Sequence, residues 1–160
     1  MKILIVSDTH GKHNNLDEIL DIEEPIDMFI HCGDVEGAEI YLDAVMDCEK
    51  HMVRGNNDFF SDLPREEEFD IGKYRVFLTH GHNYNVSLDP GFITEEGKAR
   101  DVDIVMFGHT HKPYLDIQDD ITVLNPGSAS YPRQEGRKPS YMILEMDEDG
   151  NLDFQQKFLD

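Results

Sequence analysis

Seven residues of this 160-residue chain have side chains suited to binding transition metals: Asp8, His10, Asp34, Asn56, His80, His109 and His111. They fall in five short motifs, each containing glycine: Asp8-Thr9-His10-Gly11, Gly33-Asp34, Gly55-Asn56-Asn57-Asp58, Thr79-His80-Gly81-His82 and Gly108-His109-Thr110-His111. Carboxylate and amide oxygens mixed with imidazole nitrogens suit Mn²⁺, Fe²⁺, Zn²⁺ or Ni²⁺ better than Ca²⁺ or Mg²⁺. There are too many donors for one ion and about the right number for two. Two ions roughly 3.5–4 Å apart activate water and clamp a transferring phosphoryl group. The i, i+2 spacing of Asp8-x-His10 and His109-x-His111 lets both side chains reach one point from an extended strand end. A lone Asp-x-His or Gly-Asp arises often by chance and means little. Here five of the eight histidines lie in the three histidine-bearing motifs, which chance placement does not explain.

The elements between the motifs explain how they could meet. Residues 3–6 are continuously apolar and rich in β-branched side chains, the pattern of a strand buried on both faces, and residues 27–31 read as a second buried strand. Asn14 is placed to cap a helix through about residue 21, with Leu16, Ile19 and Leu20 as its apolar stripe. A second helix is expected at residues 37–47 and a short strand at 51–54. Gly72-Lys73 separates two strand-like runs, 68–71 and 74–79, as in a hairpin. A helix at 93–100 and a buried strand at 104–107 follow. The remainder reads as strands at 115–117, 121–124, 141–145 and 152–158, with Asp149-Gly150 turning the last pair. Each ligand-bearing motif follows a strand, and in open α/β sheets such strand ends converge on one crevice.

Composition narrows the partners. The formal net charge is -20, from 34 acidic and 14 basic residues. That field opposes nucleic-acid polymers and anionic membrane surfaces, although local metal cations can reverse it for a small phosphate ester. No apolar stretch is long enough for a membrane span or signal peptide, so a cytoplasmic protein is the default expectation. The two cysteines, Cys32 and Cys48, have neither redox-motif nor metal-knuckle spacing.

Taken in order, the five motifs and the later Asn125-Pro126-Gly127-Ser128 resemble the calcineurin-like metallophosphoesterase superfamily. Its small single-domain bacterial and archaeal phosphodiesterases are the nearest in pattern. The resemblance runs from residue 3 to about residue 145 and implies one metallophosphoesterase domain over residues 1–160. The implied fold class is α/β, a four-layer α/β/β/α sandwich of two mixed sheets flanked by helices. It also implies two divalent transition-metal ions, with Mn²⁺ foremost and Ni²⁺, Zn²⁺ or Fe²⁺ as alternatives. Asp8, His10 and His111 would hold one ion, Asn56, His80 and His109 the other, and Asp34 would bridge them. A metal-bound hydroxide would then attack phosphorus in line.

One position departs from the pattern. Many members of the superfamily carry histidine directly after the metal-binding asparagine, where it contacts the phosphate; this chain has Asn57. An amide donates hydrogen bonds but is no general acid near neutral pH. The departure favours diesters and good leaving groups, unless His82, His13 or a metal-bound water supplies the proton. Asn57 and Arg133 are the candidate substrate-phosphate contacts, and Asp34, Asn57 and His82 the candidate catalytic residues. Asp58 is expected to orient Asn56 or a histidine, or to cap the following turn. Residues 83–94 are the main candidate for shaping the pocket. Rival expectations are a nucleotidase or other phosphomonoesterase, and a protein-binding scaffold like the retromer subunit that resembles this family. The oligomeric state stays open, with a homodimer or homotetramer as the candidates.

Overall fold

A computed structural model describes all residues from Met1 to Asp160. In chain order the elements are β1 (Lys2–Val6), α1 (Asn14–Glu23), β2 (Met28–His31), α2 (Glu39–Val45), β3 (Glu49–Met52), β4 (Glu66–Ile71) and β5 (Tyr74–Thr79). There follow α3 (Gly91–Ala99), β6 (Ile104–Met106), β7 (Pro113–Ile117), β8 (Thr122–Pro126), β9 (Ser140–Met146) and β10 (Leu152–Phe158). A single 3₁₀ turn spans His82–Tyr84.

The apolar strands are continuous in sequence because both of their faces are covered. In β1, Ile3 and Ile5 point between the sheets, where they meet Val76, Leu78, Ile104 and Met106 of the opposing sheet. The alternate residues Leu4 and Val6 face outward and pack with Leu16, Ile19 and Leu20 of α1 and Leu42 of α2. On the far side, Phe77, Val105 and Val123 face Ile93 of α3. Period-two alternation thus sends each strand's apolar residues to two different cores. The result is the expected four-layer α/β/β/α sandwich.

The sheets are mixed, in the orders β10-β9-β1-β2-β3 and β4-β5-β6-β8-β7. Strands β1, β2 and β3 run parallel, as do β5, β6 and β8. The carboxyl ends of β1, β2, β3, β5 and β6 each lead into one of the five motifs. Backbone hydrogen bonds join the motifs directly: the Gly108 N–H donates to the His80 carbonyl, the Asp8 N–H to that of Gly33, and the His10 N–H to that of Asp34.

Several boundaries differ from expectation, for identifiable reasons. The third strand begins at Glu49, not His51, and ends at Met52. It is an edge strand, where charged residues such as Glu49 and Lys50 are tolerated and discourage further pairing. Asn14 is the first helical residue, with His13 at the cap position and no side-chain cap bond. The neighbouring Asn15 amide instead donates to the Ala129 carbonyl. Helix α2 is shorter than expected, since Gly37 adopts φ 82° and Met46 is extended. Strand β7 starts early, at Pro113, a first-strand position that needs no ladder donor.

Candidate metal centre

The ligand loops adopt an unusual backbone. Asp8, His10, Asp34, His109 and His111 all have φ between 50° and 71°. This left-handed region strains residues with a Cβ and persists only where surrounding structure enforces it. The i, i+2 pairs therefore converge through tight left-handed bends and not from an extended strand end, as the spacing alone suggested. Gly33 and Gly108 permit the close approach. A Cβ on Gly33 would fall 2.5 Å from the His80 ring nitrogen, and one on Gly108 would collide with Ser7 and Asp8.

Hydrogen bonds enforce those bends. The Asp58 carboxylate accepts N–H bonds from Asp34 (2.9 Å), Val35 (3.2 Å), Glu36 (2.6 Å) and Gly55 (2.7 Å). It organises the backbone under Asp34 and contacts neither Asn56 nor a histidine. The Ser128 hydroxyl donates to the Asp8 carbonyl at 2.8 Å, while the Asn125 amide donates to Gly108 and Thr110. The segment Asn125–Ser128, the last two residues of β8 and the two that follow, is thus a brace for two ligand loops. Buried His31 performs a similar service: its Nδ1 accepts from the Gly33 N–H, which leaves Nε2–H to donate to Thr9 Oγ1 at 2.9 Å. Burial holds its pKa down at about 4. Sequence reasoning took His31 only as the end of a strand.

The donors gather into two groups, Asp8–His10–His111 and Asp8–Asp34–His80, the ligand atoms of each lying within 4.8 Å of one another. In the first, His111 Nε2 is 3.2 Å from Asp8 Oδ1 and 3.2 Å from His10 Nε2. Asp34 Oδ2 lies between the groups, 3.8 Å from His10 Nε2 and 3.4 Å from His80 Nε2. Asp8 Oδ1 also lies 3.8 Å from His80 Nε2, so both carboxylates occupy the middle. Asn56 Oδ1 and His109 Nδ1 meet at 3.1 Å on the more exposed side.

The outer nitrogens set the tautomers. His80 Nδ1 donates to the Cys32 carbonyl and His111 Nδ1 to the Tyr131 carbonyl, both at 2.7 Å, and His10 Nδ1 donates to Glu36. In its neutral form each of these three rings consequently turns an unprotonated Nε2 inward. Lone pairs then face lone pairs, and Asp8 Oδ1 and His80 Nε2 are buried with no hydrogen-bond partner. Such an arrangement is costly unless cations fill it. Donor atoms bound to one ion at about 2.0–2.2 Å lie roughly 3–3.5 Å apart, close to the spacings here. The donor set fits divalent transition metals.

Burial opposes the charge on Asp8 and Asp34, but hydrogen bonds and the neighbouring imidazoles outweigh it and hold both carboxyls below their ordinary range. Burial likewise opposes a charged His80, yet Asp34 and Asp8 raise its pKa. His109 is lowered by burial and by His80.

The remaining candidates sit around this core. Asn57 donates to Asp34 twice, from its backbone N–H to Oδ1 at 2.9 Å and from Nδ2 to Oδ2 at 3.0 Å. His82, in the 3₁₀ turn, has its ring centre 5.5 Å from that of His80 and a buried Nδ1 without a partner. His13 stacks on Tyr41 at 3.9 Å and joins neither donor group. Arg133 donates its N–H to the His111 carbonyl at 3.0 Å, and its exposed side chain borders the cavity lined by His10 and His111. No helix is long and apolar enough to cross a membrane.

Comparisons with known proteins agree with this geometry. The family model described as calcineurin-like phosphoesterase superfamily domain matches residues 1–149. A probable metallophosphoesterase from Methanocaldococcus jannaschii is 37% identical over 137 residues, 83% of this chain and 70% of the relative. A phosphodiesterase from the same organism is 31% identical over 144 residues, 79% of this chain and 83% of the relative. Among solved structures, Vps29 of Entamoeba histolytica complexed with Zn²⁺ superposes with a TM-score of 0.76 at 26% identity, covering 99% of each chain.

Proposed function

The chain belongs to the calcineurin-like phosphoesterase superfamily, and from that premise we propose that it is a two-metal phosphodiesterase acting on small organic phosphate esters. The observation that carries the reading is the pair of buried, unpartnered ligand atoms, Asp8 Oδ1 and His80 Nε2, among inward-facing imidazoles. Asp8, His10 and His111 would hold one ion and Asn56, His80 and His109 the other, with Asp34 shared. Divalent ions, when bound, supply a nucleophile at neutral pH and neutralise charge on the phosphoryl oxygens; Mn²⁺ is the first choice, with Ni²⁺, Zn²⁺ and Fe²⁺ as alternatives.

The chain's own residues orient and restrain. Asn57 fixes both oxygens of Asp34, which sets the direction of the shared carboxylate. One Nδ2 hydrogen is left to donate to a phosphoryl oxygen. Since that amide cannot deliver a proton, ester groups that depart as stable anions are favoured, and simple alkyl monoesters are disfavoured. His82, beside His80, is the ring from which a proton could reach a departing oxygen, and Arg133 is the cation at the cavity rim.

The phosphodiesterase named among the relatives supports the same reading. The alternatives are a nucleotidase or other phosphomonoesterase, and a binding scaffold of the kind suggested by the fold shared with Vps29. Mn²⁺-supplemented protein should hydrolyse aryl diesters, and cyclic nucleotides should be included in the screen. Asn57→His should raise rates on poor leaving groups relative to good ones; an unchanged ratio would refute the role given to Asn57. Metal-independent inertness toward every ester, with no metal retained, would favour the scaffold.

A further inference from the structure

Beside the His109-x-His111 loop lies a second cavity, of about 450 Å³, that the reading above leaves unused. Its apolar surface comes from Val86 and Leu88 in the loop after the 3₁₀ turn, Phe107 at the end of β6, and Tyr114 on β7. Thr110, between the two ligand histidines, forms part of the wall. Arg133 borders both this cavity and the one lined by His10 and His111, so the two share a rim.

The cavity also carries free positive charge. Several basic side chains of this chain are ion-paired, Lys2 and Lys157 with Glu23, Arg75 with Asp70 and Arg100 with Glu66, but those at the cavity are not. Lys112 and Arg133 at the cavity have no carboxylate within ion-pair distance. Asp89 also lines it, so the cavity carries two basic side chains against one acidic. On a chain of net charge -20, two unmatched cations over an apolar floor favour an organic group carrying negative charge.

We infer that this cavity is the subsite for the ester's organic group, an aromatic ring bearing a second anionic substituent that Lys112 and Arg133 receive. The inference rests on the proposed phosphodiesterase reading and names its substrate class. Exposed Leu88 offers apolar surface to the ring at the cavity wall, and the volume is ample for one or two rings.

Binding without turnover tests it independently of catalysis. Two phosphodiester analogues serve as probes, phenyl methylphosphonate and its 4-carboxyphenyl counterpart, titrated into ¹⁵N-labelled protein. The amides of Leu88, Thr110 and Lys112 should shift, and the carboxylated probe should bind at least 5-fold more tightly. Lys112→Gln combined with Arg133→Gln should abolish that preference, and Leu88→Asp should weaken both probes at least 10-fold. Equal affinities for the two probes in the parent, or shifts confined to the ligand loops, would overturn the inference. A separate assay of Mn²⁺-loaded protein on aryl diesters distinguishes the premises: no hydrolysis there refutes the phosphodiesterase reading, while the titration still decides whether the cavity accepts the ring.

Discussion

Two buried carboxylate clusters in this fold differ in one respect, the source of their counter-charge. Glu23, at the end of α1, is 2% exposed and fully matched by the chain itself. Its Oε1 accepts from Tyr141 and Lys157 at 2.8 Å, and its Oε2 lies 2.9 Å from Lys2 Nζ. Asp8 and Asp34 are equally buried, but what faces them is imidazole, with Asp8 Oδ1 left unpartnered. A carboxylate matched by lysine contributes to the fold. A carboxylate matched by inward-facing ring nitrogens is completed only by an ion from solution. The contrast separates a structural charge from a functional one, although their burial is alike.

The largest effect expected is at the functional cluster. Asp34→Asn should abolish Mn²⁺-dependent hydrolysis while circular dichroism reports an unchanged fold; a largely active variant would break the shared-carboxylate assignment. Next comes the brace beneath it. Asp58→Asn loses acceptor geometry for four N–H groups and should weaken metal affinity about 10–100-fold, measured by competition with a chelating dye.

The structural cluster should respond in the opposite manner. Glu23→Gln should cost roughly 2–3 kcal/mol in urea unfolding at pH 7, with turnover per folded molecule unaltered. The pH dependence follows from burial opposed by the bonds to Lys157, Lys2 and Tyr141, which together lower the Glu23 pKa from 4.5 to about 2. A lowered folded-state pKa means the stabilisation is complete above pH 4.5 and disappears as pH falls toward 2. The gap between parent and variant should close over that interval; a constant gap would place its origin in packing instead of charge. The smallest effect is expected at Ser128→Ala, about 1 kcal/mol from the lost bond to the Asp8 carbonyl, read as a modest fall in Tm.

The site was legible in the sequence where residue type and strand-end position coincide. Continuous apolar runs announced β1, β2 and β6, and the glycines beside Asp34 and His109 marked close backbone approach. What escaped depends on distant partners. Nothing local at Glu49 and Lys50 signals that the strand expected from His51 begins there, because β3 draws its ladder from β2 and its edge tolerates charge. Asn14 follows the rules for a cap, yet His13 takes the position. The left-handed bend at Asp8 is braced by Ser128, 120 residues away, and the His111 ring is oriented by the Tyr131 carbonyl, 20 residues away. His31 and Asp58 became intelligible as braces only once their backbone partners were known.

The central claim is that seven side chains hold two ions with Asp34 between them. Anomalous diffraction from Mn²⁺-soaked crystals tests it most directly. The account predicts two peaks per chain, one among Asp8, His10 and His111 and the other among Asn56, His80 and His109, with Asp34 touching both. A single peak, or none at these side chains, would contradict it.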